Sequence, residues 1–308
     1  MTALSPAAAP RGLLAANLIC MASMLVWAAG LPAADFLIPI VPPLQLTVMR
    51  TASAGAVLLA VWIALEGWRP LAAAPWGRGI GVGGVCIGLG AVLLVIGQAY
   101  TDAVTVAIIT ASMPLIGMAL EVFLDGRRIT GALVGGLLLS LFGGMIALAR
   151  GGFTLDLGIG ALAAFGSCLA FTWGSRASVT MLPGMTPLGR TALTVAGACL
   201  AVSAVTAAWS LLPGTPAVVW DAFGWRAFWS LMLFGVGSLA VSQILWLTAV
   251  ERIGIGASSL HMNAVPFYVM VMAFSLGGGW SWLQTFGAAV VVLGVLVAQG
   301  LVRLPGRD

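Results

Sequence analysis

Residues 79–101, GIGVGGVCIGLGAVLLVIGQAYT, run from Arg78 to Asp102 without a single charge. A stretch of roughly 20 apolar residues is what an α-helix needs to cross the ~30 Å hydrocarbon core of a bilayer, and such stretches recur along the chain. Charged residues make up only 7% of the sequence and hydrophobic ones 61%, against about 25% charged in a typical soluble domain. Polar groups this scarce cannot cover a water-facing surface, so most of the solvent of this chain must be lipid. Ten spans can be drawn, at about 14–34, 44–65, 78–99, 103–123, 130–149, 157–179, 187–212, 226–249, 255–277 and 282–302. The sequence therefore predicts an all-α, multi-pass integral membrane protein with short connections and no soluble domain of useful size. The first ten residues carry no basic n-region, and no A-x-A site ends the first span, so that span is expected to be retained.

All thirteen basic residues are arginines. Cytoplasmic loops are enriched in positive charge, and ten spans leave both termini on one side. With the N-terminus cytoplasmic, Arg11, Arg69, Arg78, Arg127, Arg128, Arg176, Arg190, Arg252, Arg303 and Arg307 fall at the inner face, and only Arg50, Arg150 and Arg226 fall outside. Both termini are thus expected in the cytoplasm, and the net charge of +4 reports topology rather than a nucleic-acid partner. A chain without lysine but rich in Ala and Gly suggests a GC-rich bacterial genome and hence the inner membrane. Trp62, Trp68, Trp76, Trp209, Trp220, Trp225, Trp229, Trp280 and Trp282 lie near span ends, where an aromatic belt is expected, while Trp27, Trp173 and Trp246 lie deeper. Cys20, Cys86, Cys168 and Cys199 are isolated in apolar spans without metal spacing, so packing is their expected role and neither a metal nor a cofactor is implied. GIGVGG at 79–84 formally matches a dinucleotide-loop pattern, but it follows no strand and has no acidic partner downstream. Its glycines, with Gly88 and Gly90, are better read as a small-residue face for close helix packing.

The chain also repeats itself. LTVMRTASAG (46–55) and TPLGRTALTVAG (186–197) both place Arg-Thr early in a span, and ASMLVWAAG (22–30) and CLAFTWGSR (168–176) both place Trp late in one. ASMPLIGMALEVFLDG (111–126) matches NAVPFYVMVMAFSLGG (263–278), aligning Pro114 with Pro266, and the same offset brings Gly135 onto Gly287. The order is the same in both halves, which divides the chain into repeats at 1–150 and 151–308. Five spans per half force the second repeat to insert upside down, and an inverted repeat is a signature of secondary transporters.

Ten spans in a five-plus-five inverted repeat, with these Trp, Arg-Thr and Pro positions, resemble the drug/metabolite transporter superfamily. Within it the chain resembles the EamA-type exporters, and more narrowly their aromatic-amino-acid exporter branch. The resemblance covers essentially residues 12–303, although the acidic residue usual after span 4 appears only as Asp125 and the second half has none after span 9. It implies a basket of helices around a central cavity lined by spans 1, 3, 4, 6, 8 and 9. It also implies export of small metabolites such as amino acids from the cytoplasm by alternating access.

Polar groups deep in a span cost several kcal/mol unless partnered, so those in this chain must face other helices or a wet cavity. His261, the only histidine, and Asn263 precede Pro266, which is expected to free the carbonyl of residue 262 and form a polar notch. Pro114 and Pro266 are read as hinges. Trp27, Trp173 and Trp246 would supply aromatic walls, with Gln243, Gln98 and Ser112 as polar contacts, a mixture suited to a flat, partly apolar ligand. The alternative for His261 and Asn263 is satisfied packing between helices. No acid lies at mid-membrane; Glu121, one turn inside span 4, is expected to pair with Arg127, Arg128 or Arg176. That scarcity disfavours obligatory proton/cation exchange. The expected function is export of amino acids, aromatic ones included, with efflux of toxic organic cations as the alternative. A membrane enzyme is disfavoured because one histidine without a nearby acid makes no catalytic cluster, and a monomer is compatible with the sequence.

Overall fold

The structure is a computed structural model that describes residues 10–100, 109–110, 113–126, 128–148, 158–275, 280, 282–298 and 301–302. Ser112 and the charged residues Asp102, Arg127, Arg150, Asp156, Arg303 and Arg307 lie outside the described residues. In the first half, helices run α1 Pro10–Ala28, α2 Gly30–Leu37, α3 Pro43–Glu66, α4 Trp68–Ala72, α5 Trp76–Gly83, a π segment Gly84–Leu89, α6 Gly90–Tyr100, α7 Met113–Asp125 and α8 Gly131–Leu148. The second half has α9 Ile159–Met181, α10 Pro187–Ser210, α11 Trp225–Met232, a second π segment Leu233–Val241, α12 Ser242–Ser259, a 3₁₀ turn Leu260–Ala264, α13 Val265–Ser275 and α14 Trp282–Ala298. Among the described residues all long elements are helical, as expected where lipid offers the backbone no hydrogen bonds.

Among the described residues five stretches are long and apolar enough to cross a bilayer: Gly12–Ala34, Pro43–Glu66, Trp76–Tyr100, Pro187–Ser210 and Trp225–Ala264. The last, 40 residues, would measure about 60 Å as one helix, twice the hydrocarbon thickness. Gly254 divides it: φ 81° and ψ 164° are open to glycine and break α12 at that point. The restarting helix is capped by Glu121 of α7, whose Oε1 accepts the Gly256 N–H at 2.9 Å. A carboxylate there satisfies an orphan N–H and meets the positive end of the helix dipole. Asp125 is the residue that pairs with Arg176, accepting from its Nε at 2.9 Å. Helix starts follow local chemistry elsewhere too. α3 and α10 both carry proline in the first turn, and Thr186 Oγ1 caps α10 by accepting the Gly189 N–H at 3.0 Å.

The main packing contacts cross between the halves: α1 lies on α12, α9 on α6, α3 on α10, and α8 on α14. Small residues make these approaches possible. A Cβ added to Gly143 would lie 2.6 Å from the Gly287 carbonyl, and one added to Gly294 would lie 2.6 Å from the Gly136 carbonyl. The glycine face expected at 79–90 is used in this way. Gly79, Gly83 and Gly88 abut Leu193, Thr194 and Ala198 of α10, and Gly90 abuts α9.

Two expectations need correction. Trp62 is not an interfacial belt residue: it is 1% exposed, its Nε1 donates to Glu66 Oε2 at 3.0 Å, and the α10 backbone at Gly189 packs on its ring. Of the last residues of α3, Trp62 alone turns inward against a neighbour, while Ile63 and Leu65 remain exposed. Arg50 and Arg190 are not markers of the membrane faces either, being 4% and 1% exposed inside the bundle. An arginine whose charge is held by the protein interior says little about which side a loop occupies.

Candidate functional site

Between α1, α3, α9, α12 and the two π segments lies a cavity of about 60 Å³. Its walls are mostly apolar. Trp27 and Met24 come from α1, Ile87 from the first π segment, Phe171 from α9, Trp246 from α12 and Met262 from the 3₁₀ turn. Phe171 and Trp246 form a tilted pair with ring centroids 5.8 Å apart. Trp246 is held in place by donating a hydrogen bond from Nε1 to Ser175 Oγ at 2.8 Å, and the Ser175 hydroxyl in turn donates to the Phe171 carbonyl at 2.8 Å. The aromatic wall is therefore fixed before any ligand arrives, which lowers the ordering cost of binding.

Polar groups gather on the opposite chemical theme. Ser238, Ser242 and Gln243 lie on the second π segment and the first turn of α12, and Arg50 reaches them from α3. The close approach of α3 is set at Gly235, where a Cβ would lie 2.9 Å from the Arg50 carbonyl. The guanidinium donates through Nε to the Phe234 carbonyl at 3.1 Å and through Nη2 to Ser238 Oγ at 3.4 Å. It also lies 4.0 Å from the centroid of the Phe234 ring, a cation–π contact. It makes no ion pair among the described residues, and none of the lining residues is acidic. Gln243 is only 3% exposed, lines the cavity, and its carboxamide makes no hydrogen bond to the described protein. Ser167, also in the lining, is occupied, donating to the Gly90 carbonyl at 2.6 Å.

Of the residues expected to touch a ligand, Trp27, Gln243 and Trp246 are brought together here. Trp173 is 37% exposed and is not in the lining, although Trp27, with which the sequence aligns it, is. Gln98 is half-buried on α6 and also outside the lining. His261 and Asn263 are buried behind the wall. His261 Nδ1 lies 3.3 Å from the Ser258 carbonyl, and Asn263 Nδ2 donates to Ser140 Oγ of α8 at 2.9 Å. The carbonyl of residue 262 is not freed by Pro266: the chain tightens to a 3₁₀ turn and the Val265 N–H takes it. Pro114 and Pro266 each stand second in a helix, α7 and α13. Sequence reasoning missed Arg50 as a site residue. Its signal was present, an arginine recurring early in a span of each half, and it was spent on topology.

A bundle of apolar helices enclosing an aromatic cavity with a few converging polar groups has the make-up of a small-molecule pocket. Residues 14–149 match the model of the EamA-like transporter family. The uncharacterized transporter YyaM of Bacillus subtilis (strain 168) is 27% identical over 220 residues, which cover 69% of this chain and 70% of that one. A solved crystal structure shares the fold with a TM-score of 0.73 at 25% identity, covering 94% of this chain and 99% of its own. The first half of the chain is thus similar to EamA-like transporters, and the fold is shared with a solved structure over nearly the whole length.

Proposed function

We propose that this chain is a bacterial inner-membrane secondary transporter that exports small metabolites, amino acids with aromatic side chains among them, by alternating access through the central cavity. The observation that carries the proposal is the fixed aromatic wall of Trp27, Phe171 and Trp246 facing a compact set of polar donors. Such a site suits a ligand with a flat apolar body and a polar head. Part of this reading is a ten-span inverted repeat, supported by how the halves meet, with both termini cytoplasmic as the arginine distribution suggests. Under that repeat α1 corresponds to α9 and α6 to the start of α12, so the α1–α12 and α9–α6 contacts exchange. A π segment stands in the third span of each half. Substrate contacts are assigned to Trp27, Gln243 and Trp246, and His261 and Asn263 to packing behind them. Organic cations are the weaker substrate class, because the lining offers aromatic faces but no acid among the described residues.

The test is uptake of radiolabelled amino acids into proteoliposomes at several pH values, with aromatic and aliphatic amino acids and organic cations as competitors. Saturable uptake competed mainly by aromatic amino acids is expected. Uptake competed by cations and dependent on a pH gradient would overturn the substrate assignment, and flux that does not saturate would indicate a channel.

A further inference from the structure

Among the described residues Arg50 is the one charged residue of the cavity lining, and its placement goes beyond general polarity. A guanidinium carries five N–H donors in a planar fork matched to a carboxylate. Here the protein supplies partners to Nε and Nη2 alone, a carbonyl and a hydroxyl, both neutral. Removing one charge from water without a counter-charge is strongly unfavourable. This group is 4% exposed in the bundle, lines the cavity, and has no charged partner among the described residues. Directly beside it stand Ser238, Ser242 and Gln243. The carboxamide of Gln243, buried and without a hydrogen-bond partner among the described residues, adds an acceptor and two donors that a bound head group can satisfy. Low dielectric surroundings strengthen attraction to an anion and repulsion of a cation alike.

We propose that Arg50 is the anchor for a carboxylate, so that the cavity selects anionic or zwitterionic carboxylates with an aromatic or apolar body and rejects amines of the same shape. This rests on the reading of the cavity as the transport site. The carboxylate takes the free edge of the guanidinium, Gln243 completes the hydrogen bonds of the head group, and the ring stacks in the Trp27, Phe171 and Trp246 wall. The π segment is the device that presents the anchor: its Phe234 carbonyl and Ser238 hydroxyl orient the guanidinium while leaving its charge unmatched.

The experiment uses the purified full-length protein and a matched series with one phenyl body: 3-phenylpropanoate, phenylalanine and phenethylamine. Ligand binding is read by thermal stabilisation in nanodiscs, and flux by counterflow in proteoliposomes. The carboxylate and the zwitterion are expected to bind at least about tenfold more tightly than the amine. In Arg50→Gln this gap is expected to close by about tenfold, and Arg50→Lys to keep part of it, since charge persists without the fork. The wild-type series decides even if neither variant folds. An amine that binds as well as the carboxylate, or no stabilisation by either carboxylate at millimolar concentration, overturns the anchor. Binding that prefers carboxylates without any counterflow would uphold the anchor while overturning the transport reading.

Discussion

The two arginines that begin the second span of each half, Arg50 and Arg190, occupy matching places in the sequence and are both buried, yet they are solved differently. Arg190 donates to both oxygens of Glu251, at 3.2 Å and 3.3 Å, and to the Met185 carbonyl at 3.1 Å. Arg50 has a carbonyl, a hydroxyl and a phenyl face. One charge is neutralised by the protein and pins α10 to α12; the other is left to the cavity. The same residue at matching places thus has a charged partner in one case and neutral partners beside the cavity in the other. The partner, more than the residue type or its depth, separates structure from function inside lipid.

Glutamine substitutions at the two sites should therefore have opposite signatures. Arg190→Gln is expected to lower unfolding stability by about 1–3 kcal/mol, at the lower end of what breaking a buried pair costs because Glu251 is itself half exposed. Ligand preference among the surviving folded molecules should be unchanged. Arg50→Gln should leave stability within about 1 kcal/mol of wild type, because the bonds it loses are to neutral groups and the charge it removes is uncompensated. Its carboxylate binding should nevertheless fall about tenfold or more. Thermal unfolding and ligand titration on both variants check this, and a large stability loss at Arg50 with unchanged binding would make it a brace as well. At the small end of the scale, Asn263→Ala removes one interhelical hydrogen bond, worth about 0.6 kcal/mol in membrane proteins. Its competition profile should match wild type; a shifted profile would return Asn263 to the site.

Much of this architecture is readable in the sequence. Uncharged runs of bilayer length, Pro43 and Pro187 at helix starts, and the Gly79–Gly90 packing face all follow from local chemistry, and the structure uses them accordingly. Direction is what local chemistry does not carry. Trp27 and Trp173 look alike in sequence, but one lines the cavity and the other is 37% exposed, because α1 and α9 present different faces to their neighbours. His261 and Asn263 stand out as polar residues in an apolar run, yet their partners, the Ser258 carbonyl and Ser140, lie on their own turn and on α8. Arg50 was hidden for a related reason. Its depth depends on the close approach of α3 at Gly235 and on a π segment whose Gly, Val and Leu residues read like any other apolar helix.

The most direct measurement is an experimental structure of the protein with 3-phenylpropanoate bound. The account predicts the carboxylate within about 3.2 Å of the Arg50 guanidinium nitrogens, with its ring against Trp27 and Trp246. A ligand bound elsewhere, or one seated in this cavity with its carboxylate turned away from Arg50, would contradict it.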